Sequence, residues 1–166
     1  RRGAKLKFIP VTDEGRLDLS GLDKIIGSRT KLVAVTAMSN ALGTINPLGK
    51  IIKAAKSVGA KVLIDAAQSI AHLPINFQRL SADWLAFSGH KIFGPTGIGV
   101  LVGREEILNQ MPPLFFGGDM IKTVEFSGAT WNNLPYKFEA GTPHIAGAIG
   151  LGAALQYIKK IGWRRI

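Results

Sequence analysis

The sequence predicts an α/β fold: a mostly parallel sheet with flanking helices and one antiparallel strand. Three observations lead there. Short apolar, β-branched runs alternate with segments of helical spacing. Several of those runs are nearly continuous in apolar residues, as strands of a buried parallel sheet are. One pair of runs, 82–88 and 97–103, is joined by a link too short for a crossover helix, so 97–103 runs antiparallel.

The elements follow in order. "KLKFIPV" (5–11) reads as a short strand. Ser20 is placed to cap a short helix over 21–27. "KLVAVTAM" (31–38) reads as a strand buried on both faces. Asn46-Pro47 signals a helix start, Asn as cap and Pro in the first turn, and Gly59 ends that helix. "AKVLIDA" (60–66), "ADWLAFS" (82–88) and "GIGVLVG" (97–103) read as further strands. "REEILNQM" is a short helix before Pro112-Pro113. Residues 114–140 read as irregular, with a short strand near 122–127. Thr142-Pro143 opens a long helix that closes near Gly162.

Composition bounds the function. The chain has 166 residues, about one domain by length. Its 46% hydrophobic and 19% charged residues suit a packed core. No apolar run approaches the roughly 18–20 residues of a membrane span, and the start shows no signal-peptide pattern. With no cysteine, thiolate metal sites and disulfides are excluded, and a cytoplasmic location is expected. No metal site is expected. The net charge is +10, but the basic residues are scattered, with short clusters at Arg1-Arg2, Lys159-Lys160 and Arg164-Arg165 and no interleaved aromatics. That pattern argues for a basic surface rather than a nucleic-acid partner. The chain opens without methionine and stops just past a helix, and reads as a piece of a longer protein.

In an open α/β sheet, ligands bind beyond the carboxyl ends of the parallel strands. "VTAMSNALGT" brings Ser39, Asn40 and Thr44 there, "VLIDAAQS" brings Asp65, Gln68 and Ser69, and "LAFSGHK" brings Ser88, His90 and Lys91. Each has a plainer reading. Asp65 suits a helix cap, Asn40 a turn, Gln68 a solvated helix, Ser88 a cap, His90 a structural role and Lys91 a surface cation. Together they are harder to dismiss, and Gly89 and Gly94 around Lys91 suggest a backbone that a ligand approaches closely. "GPTGIG" lacks the spacing of a nucleotide phosphate loop.

One cofactor uses all these groups. Pyridoxal phosphate needs a lysine amine for its Schiff base, a carboxylate on the pyridine nitrogen and donors around its phosphate. Lys91 supplies the first and Asp65 the second. Gln68 is placed to donate to the phenolic oxygen, and Ser88 and His90 to bind phosphate. A freed Lys91 amine is then the natural base for a substrate's α-proton.

At "SNALGTINPL", "VLIDAAQSIAHLPIN", "DWLAFSGHKIFGPTGIGVL" and "KFEAGTPHIAGAIGLGAAL", the chain resembles the class V aminotransferase family of pyridoxal-phosphate enzymes. Within it, the resemblance is to Suf-type cysteine desulfurases and the related selenocysteine lyases, and it covers nearly the whole chain. It implies part of the large domain of a fold-type I enzyme, with residues 1–143 the C-terminal part of that domain and 144–166 a long helix leading towards a small domain. It matches Lys91, Asp65, Gln68, Ser88 and His90 to the roles above, and Asn40 to a residue near the substrate carboxylate. Gly141 and Thr142 match a loop that reaches the phosphate of the other subunit in a homodimer.

The implied reaction takes sulfur from L-cysteine as an enzyme-bound persulfide, leaving alanine. A scaffold protein of iron–sulfur cluster assembly then accepts the sulfur. The family's persulfide cysteine and substrate arginine lie downstream of these motifs, and its ring-stacking histidine upstream. None has a match here, so the segment alone is expected to be inactive. His144 stands where asparagine is common. The alternatives are a selenocysteine lyase, a kynureninase-like hydrolase or an aminotransferase on the same fold, and, in another class, a non-catalytic basic binding module.

Overall fold

The computed structural model describes residues 3–166, without the side chain of Arg164, so the Arg1-Arg2 pair lies outside the described residues. Four strands form the main sheet in the order β1 (Leu32–Thr36), β2 (Lys61–Asp65), β3 (Trp84–Ser88), β4 (Gly99–Gly103). The first three are parallel, and β4 is antiparallel to β3, as the short link requires. The register aligns Thr36 with Asp65 and Asp65 with Ala86, so three strands end together along one edge of the sheet.

One face of this sheet carries the core. Val33 and Val35, Val62 and Ile64, and Leu85 are buried against α1 (Leu22–Ile25) and α2 (Leu48–Ser57). Helix α2 brings Ile51, Ile52 and Ala55, and full burial of each isoleucine stabilises the pair by about 1.5–3 kcal/mol. The opposite parity is open: Leu32 and Ala34 are exposed, and Leu101 of β4 is 55% exposed. The expectation of strands buried on both faces is therefore corrected. Both helices cover the same face, and on the other face Leu63, Trp84 and Ala86 are only half-buried.

Other boundaries shift for local reasons. Residues 5–10 form no strand. They make no ladder with the sheet, and Leu6 and Phe8 stand 82% and 79% exposed while Ile9 packs on the core. Ser20 does not cap α1. Its N–H donates to Asp18 Oδ1 at 2.9 Å, and Ser20 hydrogen bonds, the side chain's first, hold the Asp18 carboxyl below the usual carboxylate range. Asn46 does not cap α2 either. Its Nδ2 donates to the Thr36 carbonyl at 2.9 Å, tying the loop to the end of β1, and Pro47 precedes the helix. Gly59, at φ +75°, ends that chain reversal as expected.

A short helix unforeseen in the sequence, α3 (Phe77–Leu80), is capped by Asn76, whose side chain accepts from the Arg79 N–H. Helix α4 (Glu105–Gln110) follows β4. The single strand expected near 122–127 is one arm of a hairpin, β5 (Ile121–Glu125) with β6 (Gly128–Trp131), turning at Phe126-Ser127. Helix α5 (Ile145–Ile161) begins later than expected, because the Ile145 N–H bonds the Pro143 carbonyl in a tight bend first. It ends at Gly162, φ +83°. Leu151 and Ile158 of α5 form a second apolar cluster with Ile92.

Asp83, 2% exposed, locks the ends of three elements. Its Oδ2 accepts from Lys56 Nζ at 2.5 Å and from the Val62 N–H at 2.6 Å, and its carbonyl accepts from the Arg104 N–H. Replacing Asp83 with Ala strands a buried backbone donor, a loss of about 1–3 kcal/mol. The D83A full-length protein is expected to melt several degrees lower than wild type, and K56M, whose amine is partly solvated, less so. An unchanged melting midpoint for D83A would show the lock to be unimportant.

Candidate active site

Residues paired across a sheet point to the same face, so Thr36, Asp65 and Ala86 share a face opposite Ile64 and Leu85. Ser88, two residues beyond Ala86 on β3, has the same parity. The sheet thus presents Asp65 and Ser88 on one face at the carboxyl ends of adjacent parallel strands, where such folds bind ligands. Asp65 is exposed, and its Oδ1 accepts from the Ala67 N–H at 2.8 Å. Among the described residues no hydrogen bond reaches Oδ2, so one oxygen is fixed in place and the other is available.

Ser88 precedes a single 3₁₀ turn, Gly89–Ile92, without a side-chain capping hydrogen bond, and Lys91 sits in that turn, half-buried, with His90 exposed. The turn is closed tightly. The Gly94 N–H donates to the Gly89 carbonyl at 2.9 Å, and the Gly89 N–H to the Ile98 carbonyl at 2.8 Å. A Cβ on Gly94 would lie 2.8 Å from that Gly89 oxygen, and one on Gly89 would lie 2.8 Å from Ile98. These glycines let the backbone pack on itself. They set the turn that carries Lys91, and the space a Cβ would take at Gly89 and Gly94 is filled by the chain itself.

The remaining candidates are placed as follows. Gln68 is half-buried, three residues past Asp65, immediately before the turn Ser69–Ala71. Ser69 is buried and bonds the Ala66 carbonyl, so it serves the fold. Asn40 is exposed beyond the end of β1, in a turn in which Ser39 Oγ accepts from the Ala41 and Leu42 N–H groups. Gly141 and Thr142 stand apart from the others. The Gly141 N–H donates to the Gly118 carbonyl at 2.9 Å, and Thr142 is exposed. No hydrogen bond among the described residues joins them to Asp65, Gln68, Ser88 or Lys91. Among the described residues, the clefts lined by Asp119, Asn132 and Tyr136 and by Ile70, Phe87 and Trp163 include neither Asp65 nor Lys91. The strand-end edge is a shelf on the open face, and no wall of the described chain closes it.

The sequence profile described as "Aminotransferase class-V" matches residues 1–166. The chain belongs to that family. It is 52% identical to a probable cysteine desulfurase of Streptomyces coelicolor over 166 residues, 100% of this chain and 40% of that relative. The apo structure of a cysteine desulfurase from Thermococcus onnurineus superposes with a TM-score of 0.91 at 50% identity, covering 98% of this chain and 40% of that one. A C-DES mutant with glycine covalently linked to its PLP cofactor is a further family neighbour, with a TM-score of 0.72 and 33% identity over 82% of this chain and 37% of that one. The chain therefore spans about 40% of the length of the curated relative at 52% identity.

Sequence reading passed over Lys137. It is 8% exposed, and its Nζ donates to the carbonyls of Leu108 at 3.0 Å and Asn109 at 2.9 Å. Nothing in "LPYKFEAGTP" marks a buried lysine, because its partners are main-chain groups some 28 residues away.

The packing around Lys91 makes a direct prediction. Gly94→Ala requires the Gly89 carbonyl to move, and with it the turn that holds the amine. The full-length variant is expected to bind pyridoxal phosphate at least about tenfold more weakly. Gly49→Ala, exposed in α2 with nothing within 4 Å of its new Cβ, is the control expected to bind normally. Equal affinity for both variants would contradict the packing argument.

Proposed function

We propose that these residues form the cofactor-binding core of a pyridoxal-phosphate-dependent cysteine desulfurase. The observation that carries this reading is that Asp65 and Ser88, the residue that opens the turn carrying Lys91, lie on one face at adjacent strand ends. The names of the relatives, all cysteine desulfurases at about 50% identity, favour it over a selenocysteine lyase, a kynureninase-like hydrolase, an aminotransferase or a binding module.

The donor set fits the cofactor. A carboxylate with one available oxygen suits a pyridinium nitrogen, a hydroxyl and an imidazole suit a phosphate, and an amine on a rigid turn suits an aldehyde. When bound, pyridoxal phosphate supplies an electron sink for the substrate's α-carbon. The chain's own residues do the rest. The Asp65 carboxylate would hold a proton at the ring nitrogen. Gln68 would donate to the phenolic oxygen, and Ser88 and His90 would bind the phosphate. Lys91 would anchor the cofactor through its amine, and the same amine, when free, would take the substrate's α-proton. Asn40 lies near the substrate carboxylate, and Gly141 and Thr142 reach the phosphate in the partner subunit of a homodimer.

Sulfur leaves L-cysteine by cleavage of its Cβ–S bond and passes to an enzyme thiol. Cysteine plus thiol gives L-alanine plus persulfide, with atoms and electrons balanced and no outside oxidant. That thiol is outside these 166 residues, which contain no cysteine. Delivery of the sulfur to an iron–sulfur scaffold in the cytoplasm completes the reading. No helix among the described residues is long and apolar enough to cross a membrane. On the same reading residues 1–143 belong to the large domain, and the helix from 144 leads towards a small one.

Two experiments test this. Borohydride treatment of the yellow full-length protein is expected to fix the cofactor mass on the peptide containing Lys91. Lys91→Ala should abolish that label and lower alanine formation by at least about 10³-fold, and Asp65→Asn should lower it about 10²-fold or more. A labelled peptide lacking Lys91 would overturn the assignment, and faster turnover of kynurenine than of cysteine would overturn the substrate. Separately, the isolated 166 residues are expected to release no alanine from cysteine. Measurable release would refute the division of the site between this segment and the rest of the protein.

A further inference from the structure

We propose that Lys137 is the positioning residue of the Gly141–Thr142 loop, a proposal that rests on the phosphate role given to that loop above. Lysines are rarely buried without a charged partner. Lys137 is, and the ion pair found among the described residues involves Lys56 and Asp83 instead. Its ammonium donates to the carbonyls of Leu108, which also accepts from the Met111 N–H at 3.3 Å, and of Asn109, in the last turn of α4, where the helix end favours a cation. Its charge also lies 5.3 Å from the centre of the Phe138 ring.

The helix it grips is itself fixed to the cofactor strand. Gly103 of β4 pairs with Trp84 of β3, and a Cβ on Gly103 would lie 2.9 Å from both Leu108 of α4 and Trp84. Strand β3 then runs to Ser88. A continuous packed path therefore leads from Ser88 through β3, β4 and α4 to Lys137, four residues before Gly141. On its other side the loop rests on Gly117 and Gly118. The Gly141 N–H bonds the Gly118 carbonyl, and a Cβ on Gly117 would come within 3.3 Å of that nitrogen. Thr142 makes no hydrogen bond among the described residues, so its place is inherited from these two anchors. Misplacing a phosphate donor by about 1 Å is enough to lose its contribution.

The test uses the full-length protein and compares binding of pyridoxal phosphate with that of pyridoxal, which lacks the phosphate. Lys137→Met is expected to weaken pyridoxal phosphate about tenfold and pyridoxal less than about twofold, with Lys137→Arg restoring most of the loss. Equal weakening of both ligands, or of neither, would overturn the proposal. If K137M does not fold, Lys137→Gln, which keeps one amide donor, is read the same way. Thr142→Ala separates the two levels. A phosphate-selective loss in T142A without one in K137M overturns only the part given to Lys137, whereas no loss in T142A overturns the loop's phosphate role on which the proposal stands.

Discussion

The register between β2 and β3 is the constraint on which the site depends. Because Asp65 pairs with Ala86, the carboxylate and the Ser88 hydroxyl fall on the same face, two residues apart along neighbouring strands. A slip of one residue would send Asp65 into the apolar layer in place of Ile64, or turn Ser88 away from the face that Asp65 occupies. The register is in turn held from below. Val62, Ile64 and Leu85 must all face α2, and the buried Asp83 carboxylate bonds the Val62 N–H across the same pair of strands. Packing on one face of the sheet thus determines chemistry on the other.

Lys91 is placed by a different device. A strand cannot present two successive side chains to one face, so the amine comes from a one-turn 3₁₀ helix folded back against β4. Gly89, Gly94 and Gly99 make that fold possible. A Cβ on Gly99 would lie 2.9 Å from the Phe87 carbonyl, as tight as the contacts at the other two. The glycine-rich segment is an assembly of close backbone contacts that fixes the turn carrying Lys91.

Much of this was legible in the sequence. Apolar β-branched runs located β1 to β4, and the short link from 88 to 97 revealed the antiparallel strand. Asp65 and Ser88 stood out because polar residues at the ends of apolar strands are conspicuous, and the structure places both at strand ends. What stayed hidden depended on partners distant in the chain. Asn46 has the signature of a helix cap, yet it bonds the Thr36 carbonyl ten residues back. "KLKFIPV" has the composition of a strand, yet its one strand-like pairing is an isolated bridge from Val11 to Leu17. Lys137 carries no local signal at all, since only the fold brings α4 to its side chain. Thr142-Pro143 looks like a helix start, but a bend over Pro143 takes those residues first. Local patterns reported elements and strand ends well. They could not report which of two local options a tertiary contact would select.

The central claim is that Asp65 and Lys91 serve one ring from opposite sides. The most direct measurement is a crystal structure of the full-length protein loaded with pyridoxal phosphate. The account predicts an Asp65 oxygen at about 2.6–3.0 Å from the pyridine nitrogen and Lys91 Nζ bonded to the aldehyde carbon of the same molecule. A cofactor seated elsewhere, or one whose ring nitrogen faces a group other than Asp65, would contradict it.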